Sequence, residues 1–206
     1  MLGSADWKAL QDEPQTLLDD SQPAVRRLAI ARCGDVLARD ENSPVQHALE
    51  RLLVESPDAR DRTAAAEALG RSGATSIDAL LSATKDEHPS VLEAVANACG
   101  EIESPDAVPW LMEAAETHSD NLVREAAVAA LGAIGDHAAV EVLLRLVTDG
   151  PPQVRRRSVV ALTVFDDPRI EPALRAAAAD RNPMVREVAE MVVGHASEWT
   201  RLDPPT

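Results

Sequence analysis

Tyrosine is missing from this chain, and aromatic residues make up only 2% of it: Trp7, Trp110, Trp199 and Phe165. A surface that stacks bases needs more rings than that. Lysine is almost absent too. Lys8 and Lys85 stand alone among 20 basic residues, against 35 acidic ones, for a net charge of −15. Phosphate binding needs a clustered positive field, so nucleic acid is excluded as a partner. No apolar run approaches the roughly 18–20 residues of a membrane span, and no membrane partner is expected. The start of the chain has neither a basic opening nor an apolar stretch, so it does not read as a signal peptide. No segment alternates with period two, and no sheet is expected.

Cysteine is scarce as well. Cys33 and Cys99 hold the same place in two copies of one phrase, two copies apart. Neighbouring helices pack about 8–10 Å apart, so the thiols would stand about 16–20 Å apart, too far for a disulfide. Both are read as core residues of a protein in the reducing cytoplasm.

What is abundant is alanine, valine and leucine in a repeating order. Residues 121–135 show it best. Val123, Ala126, Ala127, Ala130 and Leu131 share one helical face, and Val128 and Ala129 leave little of the other face polar. Gly132 reads as the stop. A helix this apolar needs cover on several sides, and the chain supplies copies of it. Aligned on the valine position, the phrase recurs at 25, 61, 91, 123, 154 and 185. The spacings of 36, 30, 32, 31 and 31 residues mark a solenoid.

From Val45 onward each unit has a first helix, expected at 45–54, 77–84, 108–117, 140–148 and 170–179. A short polar turn follows, then the second helix, so the two are antiparallel neighbours. Each second helix is expected to end in a glycine-type exit: Gly100, Gly132, Thr163. Residues 1–19 form an N-terminal cap with Trp7, Leu10, Leu17 and Leu18 as its apolar set, and 40–44 form a longer loop. Residues 20–194 form the repeats, and 195–206 a tail that folds back through Trp199 and Leu202, all within one domain.

The phrase D-x-x-P-x-V-R-x-x-A-x-x-A-L-G-x-I-G resembles the short HEAT-like repeat of the phycobilisome-lyase (E-Z) type, best over 121–144 and 180–194. The resemblance implies an all-α, right-handed α-solenoid, a superhelix of about six helical-hairpin repeats. Second helices would line its concave face. It also implies a ladder in which turn aspartates (Asp20, Asp86, Asp149, Asp180) bond arginines of the next repeat, drawn from Arg26, Arg62, Arg124, Arg155 and Arg186. Leu92, Ser56 and His118 break its columns, and Thr163 replaces a glycine, so curvature is expected to change there.

Chemistry is harder to find. A phosphate role for the arginine column is set aside for the structural ladder, because Arg–carboxylate bonds suit such joins. Deoxyhypusine hydroxylases share the repeat and bind iron through His-Glu dipeptides, but His47, His88, His118, His137 and His195 are followed by Ala, Pro, Ser, Ala and Ala. HEAT-like DNA glycosylases need a basic face. Asp86, His88, His118 and Asp120 are read as turn caps, and no metal or cofactor is expected. The cysteines have no base beside them, and no catalytic residue is assigned.

The remaining candidate is the concave face. Positions two and six after each valine point away from the packed side. They carry Arg27, Thr63, Glu67, Glu93, Asn97, Glu125, Arg156 and Glu187, with small residues between. The expectation is a non-enzymatic scaffold or adaptor whose groove binds another protein or a basic, extended peptide. The alternative is a bilin-lyase-like enzyme or subunit acting on a chromophore or prosthetic group.

Overall fold

The computed structural model describes residues 4–40, 43–73 and 77–199. Among them are twelve α-helices, three short 3-10 helices and no strand. The chain divides into two compact units, Met1–Ala107 and Val108–Thr206.

The first unit opens with α1 (Ser4–Asp12) and a 3-10 turn at Pro14–Leu17. Leu10 and Leu18 are buried in this cap, whereas Trp7 is half in water. The repeats follow as α2 (Pro23–Leu37), α3 (Val45–Glu55), α4 (Ala59–Arg71), α5 (Asp78–Ala83) and α6 (Pro89–Ile102). The second helices α2, α4 and α6 pack side by side, and α3 and α5 form a second layer beside them. Val25, Leu69, Val91 and both cysteines fill the space between helices.

The second unit repeats the scheme. Its first helices are α7 (Val108–Thr117), α9 (Val140–Asp149) and α11 (Ile170–Ala177). Its second helices are α8 (Asn121–Ile134), α10 (Pro152–Leu162) and α12 (Pro183–Trp199). Val123, Val154 and Val185 are fully buried in it. The helix starts have local causes. Pro23, Pro89, Pro152 and Pro183 open second helices, where a missing N–H costs nothing. The Asp58 and Asp120 side chains each accept a backbone N–H of the first turn.

Two expectations are corrected here. The repeat glycines are not exits. Gly34, Gly70, Gly100 and Gly132 all lie inside helices. The left-handed position that ends α8 belongs to Gly135, at φ 68°, and Glu103 takes it in α6 at φ 55°. The inner glycines serve close approach instead. A Cβ on Gly34 would stand 3.0 Å from the Ala68 Cβ, one on Gly70 2.7 Å from the Ala98 Cα, and one on Gly132 2.9 Å from the Ala161 Cα. Each glycine meets the alanine seven places after the valine position of the following second helix. The second correction concerns the tail: α12 continues through Trp199. Leu202 and the rest of the expected fold-back lie outside the described residues.

The arginine ladder is present with its sense reversed: a turn acid takes the arginine of the repeat before it. Arg62 donates from Nε to Asp86 at 2.6 Å and from Nη1 to its own turn's Ser56 carbonyl at 2.8 Å. Arg155 does the same to Asp180 at 2.7 Å and to the Gly150 carbonyl at 2.8 Å. Where Ser56 leaves the acid column empty, Asp61, in the valine position, accepts Arg26 Nε at 2.7 Å instead. Arg186 donates to its own turn at the Asp180 carbonyl, and Arg124 to the Ala115 carbonyl. Asp20 accepts the Gln22 N–H, and Asp149 is exposed.

Arg155 is the most heavily invested of these, with a side chain only 1% exposed. Removing one partner of such a pair strands a charge, at a cost of about 3–5 kcal/mol. Arg155→Ala is expected to lose that much in urea unfolding. The two hydrogen bonds from Arg155 hold the Asp180 carboxyl below its ordinary range, against the opposing pull of burial. Its stabilising effect is therefore complete above the unfolded carboxyl's value of about 4 and fades as pH falls through the lower folded value. The gap between wild type and Arg155→Ala should accordingly narrow below about pH 4.

The glycine position gives a paired test. Gly132→Val has nowhere to put its branches and is expected to cost about 1–3 kcal/mol through overpacking. Thr163→Val, at the same position of α10 but in water, should change melting by less than the scatter of ordinary surface substitutions, about 0.5 kcal/mol.

Candidate functional site

The candidate residues lie on the second helices, whose apolar stripes fix which side chains remain outside. In the first unit, Glu67 and Asn97 are exposed, six places after their valine positions, whereas Arg27, Thr63 and Glu93, two places after, are half-buried. In the second unit Glu125 and Arg156 are half-buried, and Glu187, Val160 and Met191 are exposed.

Several of these groups already have work inside their own unit. Thr63 donates its hydroxyl to the Ala59 carbonyl, one turn back. Arg27 stands 3.6 Å from Asp61 and 3.9 Å from Asp58. Glu125 accepts Arg156 at 3.0 Å and Arg157 at 3.4 Å, with its side chain only 17% exposed. It is the hinge of a cation–anion–cation cluster and not an open acidic group. Glu67 reaches Arg71 only at 4.0 Å, and both are half in water.

The first unit also holds a polar groove of about 560 Å³, with Asp20, Arg26, Arg51, Asp58 and Asp61 in its walls. It lies where Ser56 replaces a turn acid. The Arg27 Nη1 and Asp61 Oδ1 atoms are buried there without a hydrogen bond of their own, though the two face each other as an ion pair. Asp61 stands in the valine column of the repeat, but its part in the ladder was not expected from the sequence; the signal for it is an acid in an apolar column next to a gap in the acid column.

The other candidates resolve into structure. Asp86 accepts Arg62 and the His88 backbone N–H, and its carboxyl lies 3.2 Å from the His88 ring. Burial raises this carboxyl, but those bonds outweigh it and the net shift is downward. The His118 Nδ1 accepts the Asp120 backbone N–H at 3.0 Å. Among the described residues, no group of three or more His, Cys, Asp or Glu could hold a metal ion. Cys33 and Cys99 are both buried and free. Desolvation pushes their thiols up to about 11 and about 12, the opposite of what a nucleophile needs. No helix among the described residues is long and apolar enough to cross a membrane.

The family described as HEAT repeats matches residues 77–162, and that described as PBS lyase HEAT-like repeat matches 61–86. The bilin biosynthesis protein PecE of Nostoc sp. is 38% identical over 84 residues, which cover 39% of this chain and 33% of PecE. PecE of Mastigocladus laminosus is 37% identical over a similar stretch. The deoxyhypusine hydroxylase of Aspergillus fumigatus is 28% identical over 160 residues, 77% of this chain and 44% of that protein. The match thus spans about a third of the length of the bilin biosynthesis relatives. Among solved structures, the complex of CpcE and CpcF of phycocyanin lyase from Nostoc sp. superposes with a TM-score of 0.65 at 22% identity, covering 88% of this chain and 74% of that one.

The curated relatives are bilin biosynthesis proteins and a hydroxylase, which overturns the expectation of a non-enzymatic chain. The repeat, the arginine ladder and the matched stretches agree: the chain carries HEAT-like repeats over residues 77–162, with a repeat of the phycobilisome-lyase type over 61–86.

Proposed function

We propose that the chain works as a lyase-type subunit that holds a bilin, or a comparable chromophore or prosthetic group, for transfer to or from a partner protein. The observation that carries this reading is the 37–38% identity to bilin biosynthesis proteins over 83–84 residues. Hydroxylation of the deoxyhypusine type has less support, because the His-Glu dipeptides are missing.

The second-helix positions are the surface proposed to do this: Arg27, Thr63, Glu67, Glu93 and Asn97 in the first unit, and Glu125, Arg156 and Glu187 in the second. A bilin is an elongated apolar molecule with carboxylates. Arg27 and Arg156 are the cations among those eight positions, and Arg157 adjoins the second. Glu125 fixes Arg156 and Arg157 in place, so their guanidinium groups need little ordering when an anion arrives. With no activated thiol at hand, the contribution of these residues is orientation and charge, which can supply a large part of a rate enhancement. The free, buried thiols of Cys33 and Cys99 suit a reducing compartment such as the cytoplasm.

The test is to titrate phycocyanobilin into the purified chain, following its absorbance, and then to add an apo-phycocyanin acceptor and weigh it for the covalent adduct. Binding and faster adduct formation are expected. Arg156→Glu should weaken bilin binding at least tenfold with helicity unchanged. A bilin that neither binds nor reaches the acceptor faster with the chain present would sink the reading.

A further inference from the structure

One groove of the second unit arises from a departure from the repeat. In α2, α4 and α8, an inner glycine lets the following second helix come close over an alanine: Gly34 over Ala68, Gly70 over Ala98, Gly132 over Ala161. In the α10 repeat that position is Thr163, one residue past the helix, and the facing position of α12 is Val192 in place of alanine. α10 also stops at Leu162, and the chain turns through Phe165, whose ring meets His137 edge-on at 5.8 Å. The bulkier pair and the early stop leave an open groove of about 870 Å³.

Its walls are Leu162, Phe165, Ile170, Leu174, Met191 and Val193. This volume falls within the roughly 300–1,000 Å³ of ordinary ligand pockets. Apolar surface also reaches water here: Met191, in the wall, is 57% exposed, and Val164, next in sequence to the wall residue Thr163, is 60% exposed. Single exposed apolar residues are ordinary, but such residues beside an apolar groove mark an interaction surface.

The rim narrows the choice of occupant. Glu171 accepts Arg175 at 2.6 Å, and Asp167 accepts Arg169 at 3.0 Å. Asp166 adds a third carboxylate, exposed to solvent, so acids outnumber bases there. A bilin's carboxylates would be repelled, and the groove goes beyond the chromophore reading and stands without it. We propose that it docks an amphipathic helical segment of a partner protein, which inserts an aliphatic or aromatic side chain against Phe165 and Leu174 and sets a lysine or arginine beside Asp166.

The probe is a labelled twelve-residue helical peptide of leucine and lysine, with a twin carrying glutamate for lysine, each titrated with the full chain by fluorescence anisotropy. The lysine peptide is expected to bind at least tenfold more tightly than its twin. Thr163→Trp, which plugs the mouth of the groove, and Asp166→Lys should each weaken it at least tenfold. Both positions are exposed, so helicity and Tm should not move. Equal binding of the twins, binding indifferent to Thr163→Trp, or no binding would overturn the proposal. So would a tenfold gain on Leu202→Asp, which would give the groove to the chain's own last residues. A dimer in sedimentation that Thr163→Trp dissolves would give it to a second copy and overturn it equally.

Discussion

The structure depends on one steric condition: second helices must come close enough for alanine and valine to cover each other. These side chains are short, and a helix studded with them buries little unless its neighbour lies nearly against its backbone. Gly34, Gly70 and Gly132 make that possible, because any Cβ there would press into the next helix. The cost of a glycine inside a helix, about 1 kcal/mol relative to alanine, is accepted in exchange. Where the condition lapses, at Thr163 and Val192, the layer opens into a groove. The same column of the repeat thus makes tight joins in three places and an accessible cavity in a fourth.

Close packing of smooth apolar faces would slide without something to fix the register. The arginine ladder provides it. Arg26, Arg62 and Arg155 each tie the turn of their own repeat with one nitrogen and reach an acid of the next repeat with another. Paired in this way, these cations are committed, and a basic column in the sequence does not become an anion-binding surface. The exchange of Ser56 and Asp61 shows how far the requirement extends. When the acid is lost from the turn it reappears one helical turn later, at a position otherwise reserved for valine.

For function, the important contrast is between rigid walls and unreactive groups. The thiols are buried and hard to ionise, His88 and His118 sit in turns, and the acids are paired or in water. In the proposed role, the chain would contribute to chemistry by holding a reactant and a partner in place. Arg156 and Arg157, braced by Glu125, and the groove beside Asp166 offer two surfaces of opposite character within one unit. One suits an anion and the other an apolar segment with a cation.

The order of the residues by itself determined the repeat, its period and the helix pairs. Periodic burial of Val25, Val91, Val123, Val154 and Val185 follows from spacing alone, because only one helical face can hold all of their neighbours. The first-helix bounds at Val108–Thr117 and the proline starts followed from local chemistry in the same way. The meaning of the glycines did not. A glycine near a helix end reads locally as a stop, and only the approach of another helix, thirty residues away in sequence, shows that the helix runs on through it. The sense of the ladder, the capture of Arg26 by Asp61 and the bracing of Glu125 by two arginines were likewise decided by packing. They depend on which long side chains meet across helices, and spacing along one helix carries no information about that.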